Sequence, residues 1–325
     1  MAGHGRAQRV ILISLMKSGT HLVKELMVTL GYRMYGHVRV EPQIQPVLDA
    51  DTRWRVAAMV YGDEEAASLK SRPEPAFNDA SYRAWEALAW AWQARFGINI
   101  GNLYTRELAD TGLVEQARRR TAGSSFTQTP PGICWTFHEF DIRNIDGAFL
   151  REWAETGEPR IVFNYRDPRD ILLSLVNFLC GRTRHGLSTF NNLPIYSSIL
   201  LAKPSISERL TYALTDDLFP CQATDFRRML WLLHHPGVCK VSFEELVGPA
   251  GGGSAESQIR ATARLTGFLG MPGRSAEEVT ARLFNRDAFS FYRGQIGAWR
   301  TVFTAEHCRL AEQRFGEVLS AYGYE

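Results

Sequence analysis

Near its start the chain runs V-I-L-I-S-L over Val10 to Leu15, breaks at Met16-Lys17-Ser18-Gly19-Thr20, and resumes as a helical pattern from His21 to Leu30. Leu22, Leu26 and Leu30 recur every four residues, and Gly31 ends the run. A short β-branched stretch of this kind suits a strand buried on both faces of a parallel sheet. The polar turn that follows has the makings of an anion site. Glycine lets backbone N–H groups close on a ligand, and the start of a helix favours negative charge. Lys17 adds a full positive charge, and the Ser18 and Thr20 hydroxyls can donate to phosphate oxygens. The spacing is not the nucleotide triphosphatase pattern G-x-x-x-x-G-K-[ST], because here the lysine precedes the glycine. Alone, the segment also fits an ordinary strand-to-helix turn with a surface lysine.

The same strand–turn–helix order returns with Arg160 to Asn164, Tyr165-Arg166-Asp167-Pro168, and a helical run from Ile171 to Leu179. Gly132 to Phe137 and Val238 to Phe243 read as further strands. Arg166 falls at the carboxyl end of its strand, where open α/β sheets bind ligands. Ser174 lies eight residues on, about two helical turns later. A guanidinium fork and a hydroxyl could hold a terminal phosphate between them. The plainer alternative is an ion pair of Arg166 with Asp167 or Asp170. A third segment, Tyr292-Arg293-Gly294-Gln295-Ile296-Gly297-Ala298-Trp299-Arg300, mixes glycine with cationic and aromatic residues in the manner of a ligand-wrapping loop.

Composition narrows the function classes. In 325 residues, 37 Lys and Arg stand against 35 Asp and Glu, a net charge of +2. So even a balance argues against a generic nucleic-acid or membrane-surface binder, and any anion site must be local. The five cysteines, Cys134, Cys180, Cys221, Cys239 and Cys308, form no C-x-x-C or His/Cys cluster, which argues against zinc and for free buried thiols. The apolar run after Arg9 is too short for a signal peptide or a membrane span. A cytoplasmic protein is the expectation. Between about 40 and 130, Tyr82 to Phe96 reads as a helix whose Trp85, Trp90 and Trp92 suit a core better than a pocket. Gly181 to Phe219 reads as irregular, Gly248 to Ser254 as a flexible surface loop, and Glu256 to Leu269 and Ala276 to Phe284 as helices. Arg118-Arg119-Arg120 reads as a solvated helix face.

Taken in order, the three charged segments resemble the motifs of the sulfotransferases that use 3′-phosphoadenosine-5′-phosphosulfate (PAPS). The family's P-K-S-G-T-T-W is similar to Met16 through Leu22, and its R-N-P-K-D-x-x-x-S to Arg166 through Ser174. Its R-K-G-x-x-G-D-W-K is similar to Tyr292 through Arg300, and its Y-E-D to Phe243-Glu244-Glu245. A T-S-F segment that packs on adenine aligns loosely with Asp287-Ala288-Phe289. The resemblance implies an α/β, P-loop-like three-layer fold with a central, mainly parallel sheet flanked by helices. It implies one domain over 1–325, with acceptor-side insertions at about 40–130 and 181–230.

It further implies transfer of a sulfuryl group from PAPS to a hydroxyl of a small-molecule acceptor, releasing adenosine 3′,5′-bisphosphate (PAP), with no metal. Lys17, His138 and Ser174 are the catalytic candidates. Lys17, Ser18, Gly19, Thr20 and His21 would hold the 5′-phosphosulfate. Arg166, Ser174, Arg293 and Gly294 would hold the 3′-phosphate, and Phe289 would pack on the base. His138, after the strand ending at Phe137, would take the acceptor proton, with Glu139 as the other option. No nucleic-acid or membrane partner is implied; the oligomeric state stays open, a homodimer included. The chain departs from the family at Met16 (proline), Leu22 (tryptophan), Phe243 (tyrosine), Tyr292 (arginine) and Thr136 (lysine). Two other readings share the geometry: a P-loop small-molecule kinase, and a nucleotide-binding protein without catalysis.

Overall fold

A computed structural model of the chain describes residues 6–36, 42–98, 110–181, 192–281, 283 and 294–325. Its centre is a parallel sheet of β1 (Arg9–Ser14), β2 (Arg33–Gly36), β3 (Ile133–Phe137), β4 (Arg160–Tyr165) and β5 (Val238–Ser242), in the order β2-β3-β1-β4-β5. Four of these strands coincide with apolar runs visible in the sequence. The edge strand β2 does not. It has four residues, and its Gly36 is required because a Cβ there would sit 2.2 Å from the Thr136 carbonyl oxygen.

Alternation along the strands sends side chains to two separate cores. Val10, Leu12, Cys134, Val162 and Val241 pack with α1 (Thr20–Thr29) on one face. Ile11, Ile13, Trp135, Phe137, Ile161 and Phe163 pack on the other. That second face takes α2 (Ala50–Tyr61), α3 (Asp63–Lys70), α4 (Glu74–Arg95), α5 (Thr111–Arg120), α6 (Gly147–Thr156) and α7 (Pro168–Cys180). Pro168 begins α7 where its missing N–H costs nothing, and the Asp167 carboxylate caps it by accepting from Arg169 N at 2.8 Å.

Helix α4 is anchored to the sheet rather than hinged over it. Trp85 meets Trp135 and Tyr35 edge-on at 5.6 and 5.3 Å, and the fully buried Trp92 meets Phe126 at 5.0 Å. In its last turn Arg95 bonds Asp146 at 2.6 Å and the Thr121 and Ser124 carbonyls. The tryptophans therefore serve the core, as their helical spacing predicts.

The stretch read as irregular is in good part helical: α8 (Leu193–Leu201) and α9 (Ile206–Thr215) follow, then α10 (Ala223–Arg227) and α11 (Leu230–His234). Helix α8 is apolar nearly all round, so it offered no periodic signal to read. After β5 come α12 (Phe243–Leu246), α13 (Ala255–Phe268), α14 (Ala276–Thr280) and α15 (Ala305–Tyr322). The glycine-rich 248–254 segment is not a free loop: Pro249–Gly251 forms a 3-10 turn, and Gly251 O accepts from Ile296 N at 3.0 Å. Among the described residues, no helix is long and apolar enough to cross a membrane, and no group of three His, Cys, Asp or Glu could hold a metal. All five cysteines are free; Cys134, Cys221 and Cys239 are buried, whereas Cys308 is exposed.

Candidate active site

Strands β1 and β4 are neighbours, but the helix after β1 packs on one face of the sheet and the helix after β4 on the other. Chain leaving in opposite directions opens a crevice beyond the strand ends, the usual ligand position in open α/β sheets. Both charged motifs meet there. The 15–19 turn closes with Ser18 N donating to Leu15 O at 3.0 Å, and it passes through two left-handed residues, Lys17 (φ 68) and Gly19 (φ 92). For lysine this conformation costs about 1–2 kcal/mol, so the surrounding contacts must enforce it. For Gly19 the reason is visible: a Cβ there would lie 2.6 Å from a ring carbon of Phe243. Gly19 also stands at the N-cap of α1 with no side chain over the first N–H groups of the helix.

Arg166 enters the same crevice from the end of β4. It is 6% exposed, with its guanidinium 4.1 Å from the centre of the Phe243 ring. Its Nη2 donates to Gln295 O at 2.8 Å and lies 3.5 Å from Asp170 Oδ2; its Nη1 is 3.4 Å from Lys17 O. Its Nε is buried with no hydrogen-bond partner among the described residues. A charged donor left in that state is costly, and it suits an anion. Asp170, almost fully buried, accepts from Gly297 N (2.8 Å) and Trp299 N (3.0 Å), and Asp167 accepts from Trp299 Nε1 (3.1 Å). Arg169 bonds Asp167 and stacks 4.0 Å over Trp299. The two aspartates thus bind the 294–301 segment to the start of α7.

Lys17 is half-buried, its Nζ 4.4 Å from the centre of the Phe178 ring. Burial, reinforced by the charge of Arg166, lowers its pKa from 10.5 to about 7. Near neutral pH this ammonium can therefore give up a proton. His138 lies across the end of β1 from the loop. One position past the last register pair of β1 and β3, its Nδ1 meets Ser14 O at 2.7 Å. A carbonyl only accepts, so Nδ1 carries the proton, and Nε2 of the neutral ring keeps a lone pair. Glu139, half-buried, adjoins it in sequence.

The structure gathers Lys17, Ser18, Gly19, Thr20 and the half-buried His21 into one turn and helix start, with Arg166 and Gly294–Gln295 beside it. Ser174 lies on α7 one turn beyond Asp170 and is half-buried. Phe289 and Arg293 lie outside the described residues. The Ser18 and Thr20 hydroxyls turn inward: Ser18 donates to Leu15 O at 2.6 Å, and Thr20 meets Ser14 Oγ at 2.8 Å. Two residues at the centre of this arrangement, Ser14 and Asn164, were not singled out from the sequence. Their signal was a polar residue at the carboxyl end of an otherwise apolar strand.

No protein-family model matches the chain, and no curated protein is similar to it in sequence. Among solved structures the chain is similar to mouse sulfotransferase SULT7A1 complexed with PAP, at 13% identity and a TM-score of 0.51, over 98% of this chain and 90% of that one. It also matches retinol dehydratase in complex with androsterone and inactive cofactor PAP, at 16% identity and a TM-score of 0.47, over 98% of this chain and 82% of that one. The likeness to the mouse protein defines the fold. This chain has the P-loop-like α/β fold of that sulfotransferase, with five parallel strands flanked by helices.

Proposed function

We propose that the chain is a sulfotransferase that moves a sulfuryl group from PAPS to a hydroxyl of a small-molecule acceptor. The convergence of Lys17 and the buried Arg166 on one crevice, at the ends of β1 and β4, is the observation that carries this reading. Two separate cationic points suit a nucleotide with phosphate at both its 5′ and 3′ positions. The mouse sulfotransferase of the same fold is complexed with PAP.

In this scheme the α1 N-terminus and the turn amides of 17–21 hold the 5′-phosphosulfate, and Arg166 Nε, Ser174, Arg293 and Gly294 hold the 3′-phosphate. Phe289 packs on the base. The acceptor oxygen forms its bond to sulfur as the bond from sulfur to the 5′-phosphate oxygen breaks, and that electron pair leaves with PAP. Lys17, poised near neutrality, stabilises the departing oxygen or protonates it. His138 Nε2 takes the acceptor proton; Glu139 is the other candidate for that step. Positioning and charge supply the rate, as in phosphoryl transfer. The whole of 1–325 acts as one such domain in the cytoplasm, with the 40–130 and 181–230 segments on the acceptor side.

Transfer from sulfur-labelled PAPS to a panel of phenols, steroids and aliphatic alcohols tests this. A labelled sulfate ester is expected with at least one class. Lys17→Ala should abolish it, and His138→Ala should lower turnover about 100-fold while PAPS binding persists. Full transfer by Lys17→Ala, or phosphoryl transfer from magnesium ATP in its place, would contradict the reading.

A further inference from the structure

Ser14 and Asn164 face each other as a register pair of β1 and β4, and both are fully buried. They follow Leu12 and Val162 by two positions, so they point to the α1 side of the sheet, under the start of that helix. The Ser14 hydroxyl lies 2.8 Å from Asn164 Oδ1, 2.8 Å from Thr20 Oγ1 and 3.0 Å from Ser18 Oγ. Asn164 Oδ1 also lies 3.1 Å from Ser18 Oγ, and Asn164 Nδ2 donates to Val241 O of β5 at 3.3 Å.

Proton counting orders this network. With its Nδ2 turned to a carbonyl, Asn164 presents an oxygen that can only accept. Ser14 therefore donates to Asn164, and Thr20 donates to Ser14. Ser18 gives its single proton to Leu15 O, its shortest contact. The Thr20 hydroxyl is thus tied to β4 and β5 through one serine side chain, while Ser18 is held within the turn by Leu15 O. The main-chain oxygen of that same serine accepts from His138 Nδ1. One residue sets both the turn that would hold the anion and the ring that would take the proton.

We propose that Ser14 and Asn164 are positioning residues, a buried relay that holds the 17–20 turn and the His138 imidazole in mutual register without touching substrate. The proposal rests on the sulfotransferase reading for its consequence in turnover, but its structural half can be measured alone. The full chain is examined as wild type, Ser14→Ala, Asn164→Ala and the double variant. Two readouts are taken: PAP affinity by calorimetry, and the imidazole tautomer of His138 by nitrogen NMR, assigned with His138→Gln. Wild type should show the Nδ1–H tautomer. Either single variant should weaken PAP about tenfold and mix the tautomers, and the double variant should be no worse than the singles. Ser14→Thr, which keeps the hydroxyl, should restore both readouts and guards against a folding defect in the alanine variants. A fall in melting temperature with affinity and tautomer unchanged would reduce the pair to core filling and overturn the relay. Additive losses would overturn it as well. If wild type binds no PAP, the sulfotransferase reading falls, and the tautomer alone then decides the relay: mixing in the variants supports it, and an unchanged ring refutes it.

Discussion

Lys17 combines a left-handed backbone, a half-buried ammonium and an arginine neighbour, and each of these has a measurable cost. Its pKa in the folded chain, about 7, lies below the 10.5 of the ordinary side chain. Between those values the unfolded chain holds the proton and the folded chain does not, so this residue makes stability rise with pH from about 7 to 10.5. Below pH 7 the burial cost is present in full. Lys17→Met should therefore raise the melting temperature at pH 6, with a gain that shrinks toward pH 9, while PAP binding weakens at both. A gain that grows with pH would contradict the lowered pKa. At Gly19 the direction reverses. Gly19→Ala adds left-handed strain of about 1–2 kcal/mol and a collision with Phe243, so chemical denaturation should show a loss of at least about 2 kcal/mol. The lysine and the glycine were legible from residue type and order. The inward turn of Ser18 and Thr20 was not, because it depends on Asn164, which is 144 positions or more away in sequence.

At the scale of elements, β1, β3, β4 and β5 could be read because each is a short apolar run ended by polar residues. The β2 strand could not, since R-M-Y-G carries no alternation and owes its place to β3. Helix α8 was hidden for a related reason: an apolar helix has no stripe. The link between the second and third motifs also escaped the sequence. Asp170 reads there as a partner for Arg166, but both its oxygens mainly accept N–H groups from 297 and 299. Removing it would orphan two backbone donors and free the 294–301 segment from α7. Asp170→Ala should cost about 2–4 kcal/mol in urea unfolding and weaken PAP binding. Unchanged affinity in the folded variant would mean that the segment holds its place without this tether.

Across the whole molecule, a net charge of +2 conceals a local concentration of cations. Lys17 and Arg166 are brought together by sheet order, with β4 placed beside β1 and their following helices on opposite faces. Composition could show only that any anion site would be local; topology brings the two cations together. The proposed function rests on recognition of a nucleotide in this crevice by its 3′-phosphate. Its most direct test is a thermal-shift comparison of PAP with 5′-ADP plus magnesium at equal concentration. A ligand at 100 times its dissociation constant adds about 2.7 kcal/mol to the folded state, a rise of several degrees. That rise is expected with PAP, and little or none with 5′-ADP. Stabilisation by 5′-ADP with magnesium and none by PAP would contradict the proposed function and favour a kinase.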